Sequence, residues 1–168
     1  MAGRQDGKTA GRQDGKSAMK LIDTDQTVLI VTGSDIPAEM NDRPTAYGLK
    51  AEIDRLGEGT AWRGAVVVSD RWYADSRLFH LCATIVIGGP GVNAVAAALV
   101  NDLPMIVSKE DRVYVQGSWD GETKRVSLWG LDRTATAWAV ETFVRDGYLA
   151  DFLNRAWKLP ATRRIDLA

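Results

Sequence analysis

The glycine-rich segment GGPGVN, from Gly88 to Asn93, has the residue types of a ligand-binding turn. Glycines let a ligand approach the backbone closely, and the free N–H groups at the start of a helix attract anions such as phosphate or carboxylate. The segment is therefore predicted to bind a small anionic molecule through Gly88, Gly89, Gly91 and Asn93. The alternative is that the glycines only permit a tight turn, in which Asn93 bonds to the backbone.

A second polar segment, GLDRT, runs from Gly130 to Thr134 and comes before a predicted helix. Asp132 or Thr134 is placed to accept hydrogen bonds from the first N–H groups of that helix. Arg133 would stand in the first turn, where the helix dipole disfavours a positive charge, so it is expected to serve a partner or an acid elsewhere. Asp132, Arg133 and Thr134 are therefore further candidates for ligand binding.

Polar residues also follow two apolar, strand-like runs. Gly33, Ser34 and Asp35 come after TVLIVT, and Asp70 comes shortly after AVVV. The carboxyl ends of parallel strands lie at one edge of a sheet, where such sheets bind ligands. Both carboxylates are candidate bases or metal ligands at that edge.

The chain has one cysteine, Cys82, and one histidine, His80. An intramolecular disulfide and a zinc site rich in Cys or His are therefore excluded. A Ser–His or Cys–His catalytic centre would have to use His80, for which the sequence shows no partner. Cys82 is expected to be buried and unreactive. This scarcity of catalytic residue types favours a binding function.

The glycine segment meets the dinucleotide-binding pattern only as the variant GxGxxA, through Gly89, Gly91 and Ala94. The acid that would bind a ribose, expected about twenty residues later, would be Glu110 or Asp111. Both lie beyond the next strand, so the sequence indicates no particular cofactor.

The 168 residues carry a net charge of −1, and beyond residue 20 there are 16 basic and 20 acidic residues. Nucleic-acid binding depends on clustered Lys and Arg, so no nucleic-acid partner is expected. The apolar run Val28–Val31 is too short for a membrane span or a signal-peptide core. We therefore expect no membrane association and a cytoplasmic location. The partners predicted are a second copy of the chain, another protein or an anionic small molecule.

Residues 1–18 contain a direct repeat, AGRQDGKT followed by AGRQDGKS, and no large apolar side chain lies between Met1 and Met19. Such a segment is expected to be disordered. Each copy has three residues between its first glycine and GK[ST], one too few for a phosphate-binding loop. The repeat is either a flexible spacer or an extension ahead of a start at Met19. One domain is predicted over 19–160, with a loose tail at 161–168.

Three apolar runs predict buried strands of a parallel sheet, because they are apolar throughout and do not alternate. They are Thr27–Thr32, Ala65–Val68 and Thr84–Ile87, and Met105–Val107 is predicted to be another apolar strand. A turn-rich segment at 117–121 separates two further runs and predicts a hairpin or antiparallel edge. The predicted fold is α/β: a three-layer, Rossmann-like, doubly wound and mostly parallel sheet.

Helical patterns between these runs are expected to cover the sheet. The first helix is predicted to begin with Asp42 as its N-cap and Pro44 in its first turn, and to end at Gly57. Others are predicted at 73–82, 92–103, after Thr134, and at 149–157. Helical spacing predicts inward-facing side chains that include Leu56, Leu78, Leu81 and Trp138.

The motifs GGPGVN and GLDRTATAWA together resemble a pair found in archaeal surface-layer proteins and related Rossmann-like modules. There, one strand ends in a GGP-x-x-N turn and a later strand ends in G-x-D-R-x-x-T before a helix. The matching residues are Gly88, Gly89, Pro90 and Asn93 in the first motif and Gly130, Asp132, Arg133 and Thr136 in the second. The resemblance covers roughly 84–143. It implies a structural or interaction module whose two motifs lie on adjacent strand ends and brace each other through Arg133 and Asn93.

Two functions are predicted. The first is a non-catalytic binding or assembly domain that contacts a protein partner or a passive small ligand at the carboxyl ends of the strands. The second is an enzyme or sensor acting on a nucleotide or another phosphorylated small molecule. In that case the backbone amides of 89–92 and Arg133 would hold the phosphate, and Asp35 or Asp70 would act as base or metal ligand.

Overall fold

Six strands form one sheet in the computed structural model, which describes residues 22–158. The strands are β1 Thr27–Thr32, β2 Gly64–Ser69, β3 Ala83–Ile87, β4 Met105–Lys109, β5 Val113–Ser118 and β6 Arg125–Gly130. The helices are α1 Ile36–Leu56, α2 Asp70–Asp75, α3 Ala94–Leu99, α4 Arg133–Arg145 and α5 Tyr148–Ala156. The predicted tails at 1–18 and 161–168 lie outside the described residues.

The sheet has the strand order β2-β1-β3-β6-β5-β4. Strands β2, β1, β3 and β6 are parallel to one another, whereas β5 is antiparallel to both β6 and β4. The predicted hairpin forms between β5 and β6, with Val113 opposite Gly130. The three-layer, Rossmann-like sheet with an antiparallel edge is thus confirmed.

Helices cover both faces of the sheet, because each central strand is apolar on both sides. Val28 and Ile30 of β1 belong to a core cluster with α1, α4 and α5. Leu29 and Val31 point to the other face and join a smaller cluster that includes Ala96 of α3. This alternation is the period of two expected of a strand.

The prediction that the first helix starts at Asp42 is wrong. Helix α1 begins six residues earlier, at Ile36, because Asp35 caps it: the Ala38 N–H donates to Asp35 Oδ1 at 2.9 Å. Pro37 stands in the first turn, where a missing N–H costs nothing. Pro44 lies inside the helix, and Asp42 is buried within it. Gly57 is the C-cap, as predicted.

The prediction of one helix over 73–82 is also wrong. Ser69 caps a shorter helix, α2, which ends at Asp75, and a 3-10 turn follows at Phe79–Leu81. Consequently Leu78 and Leu81 are exposed, whereas Cys82 is buried as predicted.

Two further predictions about helices need correction. Helix α3 covers only Ala94–Leu99, not 92–103, because Asn93 is its N-cap. Two side chains predicted to be buried, Leu56 of α1 and Trp138 of α4, are exposed. Trp119, from the turn between β5 and β6, is buried instead and packs edge-on against Phe143 and Phe152.

Candidate functional site

A cleft of about 300 Å³ opens at the carboxyl ends of β3 and β6, between the first turns of α1 and α4. This is the edge of a doubly wound sheet at which ligands bind. Its lining residues are Pro37, Ala38, Asn41, Asp42, Gly89, Pro90, Gly91, Val92, Trp129, Gly130, Leu131, Asp132, Arg133 and Thr136. The strand-end cleft, as we call it, therefore unites the two motifs singled out in the sequence with the start of α1.

Two glycines let the GGPGVN loop lie directly against its neighbours. A Cβ on Gly33 would be 1.9 Å from the Val92 carbonyl oxygen, so only glycine fits where β1 meets the loop. A Cβ on Gly88 would be 2.6 Å from Asp42 Oδ2, and Gly88 has a φ of +106°, which favours glycine. The loop backbone thus forms one wall against the Asp42 carboxyl group.

The side chain of Asp42 is the least expected feature of the strand-end cleft. Asp42 is 6% exposed, and no hydrogen bond or salt bridge from residues 22–158 reaches its carboxyl oxygens. Burial, with a smaller contribution from the charge of Asp35, raises its pKa from 3.8 to about 6. Buried carboxylates are normally paired or hydrogen-bonded. Asp42 is therefore a strong acceptor without a donor, facing the cleft.

Charged residues of GLDRT lie at the mouth of the cleft. The Arg133 guanidinium is exposed, and its Nη1 donates to Asn41 Oδ1 at 3.4 Å. Asp132 caps α4 by accepting the Ala135 N–H at 2.8 Å and pairs with Arg112 at 2.6 Å. The Ala135 hydrogen bond, followed by that from Arg112, lowers the pKa of Asp132. Asp132 therefore has the capping role predicted for it.

Thr134 and Thr136 differ in position. Thr136 is buried in the cleft wall, where its Oγ1 accepts the Gly130 N–H at 3.1 Å. Thr134 is absent from the cleft lining and lies in an adjoining groove with Met40, Pro44 and Trp138. The strand-end cleft and this groove share Asn41 and Arg133.

The backbone donors at the start of α3 already have partners. The Ala94 N–H donates to Asp70 Oδ2 at 2.9 Å, and the Val95 and Ala96 N–H groups donate to Asn93 Oδ1 at 3.0 and 3.2 Å. The Val92 N–H donates to the Gly89 carbonyl at 3.1 Å. An anion at this helix start would have to replace these bonds.

Asn93 and Asp70 therefore hold the loop in place. Asn93 Nδ2 donates to the carbonyls of Val31 and Ile87, at the ends of β1 and β3. Asp70 is buried and also accepts the Arg71 N–H at 2.8 Å. Both side chains make several backbone hydrogen bonds, which is the structural role that the sequence left open for Asn93.

The predicted site residues meet at one edge, but they do not line one cavity: Thr134 lies in the adjoining groove, and Gly33 and Gly88 line neither it nor the strand-end cleft. Ser34, Asp35 and Asp70 lie with Gly91 and Asn93 around a shallow space of about 350 Å³ beside the strand-end cleft. Asp35 caps α1, so its carboxylate, like that of Asp70, already binds backbone N–H groups. Within residues 22–158 no group of three or more His, Cys, Asp and Glu residues could hold a metal ion.

The expected brace between Arg133 and Asn93 is wrong. Arg133 bonds to Asn41, whereas Asn93 bonds to the ends of β1 and β3. The two motifs do lie on adjacent strands, since β3 pairs with β6. The Gly88 N–H donates to the Leu128 carbonyl at 3.1 Å, so the backbone joins them.

His80 and Cys82 lie away from this edge. His80 Nε2 is 2.8 Å from the Tyr73 carbonyl oxygen, and its ring packs against that of Tyr73. Cys82 is fully buried, and burial raises the pKa of its thiol to about 11. Neither residue lines the strand-end cleft.

Sequence reasoning missed Asp42, Asn41 and Trp129 as site residues. Asp42 carried one signal: it is four residues after Ala38 and four before Ala46, so it continues the buried stripe of α1. Trp129 carried none, because its position depends on Tyr114, against which its ring stacks at 4.3 Å, and on Gln116, which accepts its indole N–H.

No protein family matches this chain, and no curated protein is significantly similar to it. Within the described part of the chain, no helix combines the length and the apolar character needed to cross a membrane.

Proposed function

We propose that this chain is a non-catalytic binding domain that holds a small molecule in the strand-end cleft. One observation carries the proposal: Asp42 is a buried acceptor that faces the cleft and has no donor among the described residues. The fully buried side-chain atoms without a hydrogen-bond partner among the described residues are Thr32 Oγ1 and Ser127 Oγ, so the Asp42 oxygens remain accessible from the cleft, where a donor on a ligand can reach them.

The walls of the cleft suit a small organic molecule. Pro37, Pro90, Val92 and Trp129 supply apolar surface, and the polar groups are few. A mainly apolar recess with a small number of placed polar groups is typical of small-ligand sites. At about 300 Å³ the cleft has room for a molecule with one or two rings.

A ligand screen tests this function. Small cationic, neutral and anionic compounds are added to ¹⁵N-labelled protein, and amide shifts are followed by NMR, with thermal shifts measured in parallel. We expect saturable shifts confined to residues 89–92 and 129–133. A ligand at one hundred times its Kd stabilises by about 2.7 kcal/mol, which is readily visible in the melting temperature. Shifts spread over the surface, or none from any class, would contradict the proposal.

A separate observation supports a role of this domain in assembly, through contact with a second copy of the chain or another protein. Met40 is 70% exposed and Trp138 is 47% exposed, and both line the groove next to the cleft. Exposed large apolar side chains at a groove mark protein contacts. The likeness of the two motifs to those of surface-layer modules points the same way. Light scattering tests it: we expect a concentration-dependent dimer that is weakened by Trp138→Ser, and a monomer throughout would exclude self-assembly.

The second candidate is an enzyme or sensor acting on a nucleotide or another phosphorylated small molecule. The pKa of Asp42, about 6, favours it, because such a carboxyl group can exchange protons near neutral pH. The occupied amides at the start of α3 argue against it. Nucleotides and sugar phosphates belong in the same screen. A stabilisation by these compounds that Arg133→Ala removes would favour this candidate over the first.

A further inference from the structure

We infer that the ligand of the strand-end cleft is a small organic cation, an amine or amidinium on an apolar body, whose charged N–H groups donate to the Asp42 carboxylate. The inference rests on the proposed function, since it names the ligand class for that cleft. It adds a binding role for Asp42 and a sign for the ligand charge.

The chemistry of Asp42 sets the charge of the ligand. An ionised carboxylate accepts hydrogen bonds and donates none, and out of water it is stabilised most by a cation that also donates. The charge of Asp35, the cap of α1, acts on Asp42 and is negative, so it adds to the attraction for a cation. A second anion beside Asp42 would be repelled.

The other charged groups of the cleft do not satisfy Asp42. Arg133 is exposed at the mouth of the cleft, and its guanidinium donates to Asn41, the residue before Asp42. Asp132 is negative and already paired with Arg112. The loop wall, residues 88–93, has no charged side chain. A cation entering the cleft therefore meets an unpaired carboxylate, and Arg133 stays in solvent.

A metal ion does not fit this position. Hard cations such as Ca²⁺ take six to eight oxygen ligands, and Mg²⁺ requires octahedral geometry. Among the described residues no cluster of three or more potential ligands exists. One carboxylate in a cleft that is also lined by Pro37, Val92 and Trp129 instead suits an organic cation, because the ring of Trp129 and the aliphatic side chains can cover its apolar part.

Three compounds of one shape test the charge: benzamidinium, neutral benzamide and anionic benzoate. Each is titrated into the full chain and followed by amide shifts at 89–92 and 129–133. We expect saturable binding of benzamidinium, with benzamide at least about tenfold weaker and benzoate undetectable. Asp42→Asn should lower the affinity for benzamidinium at least about tenfold and leave that for benzamide within about twofold.

Asp102→Asn is the matched control. It makes the same change in charge, but Asp102 is exposed in the loop before β4, at the opposite end of the sheet. It should leave the binding of benzamidinium unchanged. If Asp102→Asn lowered the affinity for benzamidinium as much as Asp42→Asn does, the overall charge of the protein would explain both results, and the inference would be overturned. Amide spectra of both variants show whether each remains folded.

The pH dependence gives a second readout that needs no variant. Affinity for benzamidinium should fall about tenfold between pH 7.5 and pH 5, as protonation removes the Asp42 carboxylate. Asp35, Asp132 and Arg133 are the other charged groups at the cleft and its rim. The same titration of Asp42→Asn tests whether they contribute, and we expect its affinity for benzamidinium not to change with pH.

The outcomes separate this inference from the proposed function. Binding of benzamide or benzoate in the cleft with equal or higher affinity than benzamidinium would overturn the ligand class and leave the binding function standing. Failure of all three compounds, together with failure of every class in the wider screen, would overturn both. Binding of benzamidinium that survives Asp42→Asn would remove Asp42 from the site.

Discussion

Asp42 links the stability of the protein to pH. Its carboxyl group is buried beside Gly88, and the pKa is raised from 3.8 to about 6, so the folded state holds this proton more tightly than the unfolded chain does. The stabilisation is complete below pH 4 and is lost as the pH rises through about 6. Ionised Asp42 is therefore a local cost of folding at neutral pH.

We expect the free energy of unfolding to fall by about 1–2 kcal/mol between pH 4.5 and pH 7.5 because of this residue, allowing for screening by water in the cleft. Asp42→Asn cannot ionise, so its stability should fall less over the same range. Urea unfolding at both pH values measures the difference. An equal fall in the free energy of unfolding in the two proteins would show that Asp42 is not the group responsible.

Gly88 offers a second test at the scale of single residues. Gly88→Ala adds a Cβ at 2.6 Å from Asp42 Oδ2 on a backbone with φ of +106°, so we expect a loss of about 2–3 kcal/mol. Gly91→Ala, three residues later, is the matched control, because nothing lies within 4 Å of its new methyl group. Denaturation midpoints compare them, and equal losses would contradict the close approach of Asp42 to the loop.

At the scale of elements, the start of α1 determines the site. The cap at Asp35 lets the helix run from Ile36 through Pro44, and this places Asn41 and Asp42 over the loop after β3. A helix beginning at Asp42 would leave that carboxyl group at an exposed end. The cap also lies close enough for its charge to raise the pKa of Asp42.

Two substitutions of Asp35 separate capping from charge. Asp35→Ala removes both and should cost about 1 kcal/mol of stability, whereas Asp35→Ser keeps a capping oxygen and should cost less than half of that. Both should lower the pKa of Asp42, because the neighbouring negative charge is gone. Carboxyl ¹³C titration measures the pKa. An unchanged value in both variants would contradict the electrostatic coupling of the two residues.

At the scale of the whole molecule, the two cores on opposite faces of the sheet protect its interior. Cys82 is fully buried in the smaller core, and the pKa of its thiol is raised to about 11. The thiolate is the reactive form, so the folded protein should not expose a nucleophile here.

We expect Cys82 to react with a thiol reagent only when the protein unfolds. The labelling rate at pH 8 should rise with urea in parallel with the unfolded fraction, because the thiol becomes accessible in the unfolded state. Rapid labelling in buffer alone would show that this core opens locally. Tryptophan fluorescence, recorded on the same samples, reports global unfolding.

Much of the fold follows from local sequence. The apolar runs of β1, β2 and β3 predict a buried parallel sheet because they have no polar face. The turn-rich segment at 117–121 predicts the hairpin, and the caps at Asn93, Asp132 and Gly57 are local hydrogen-bonding patterns. Each of these features depends on residues that are a few positions apart in the chain, so it can be predicted from the sequence alone.

The candidate site depended on tertiary structure. The sequence placed the two glycine motifs at one edge of the sheet, but it predicted Asp42 as the cap of the first helix and Asp35 as a base or metal ligand, and the structure assigns the cap to Asp35. Asp35 lies where the helix leaves β1, and Asp42 is carried over Gly88 and out of water. Burial is a property of the assembled layers, because the loop whose Gly88 lies beside Asp42 Oδ2 is more than forty residues away in the chain. The sequence by itself therefore determined the sheet and the edge at which the two motifs meet, and the tertiary structure decided which carboxyl group faces the cleft.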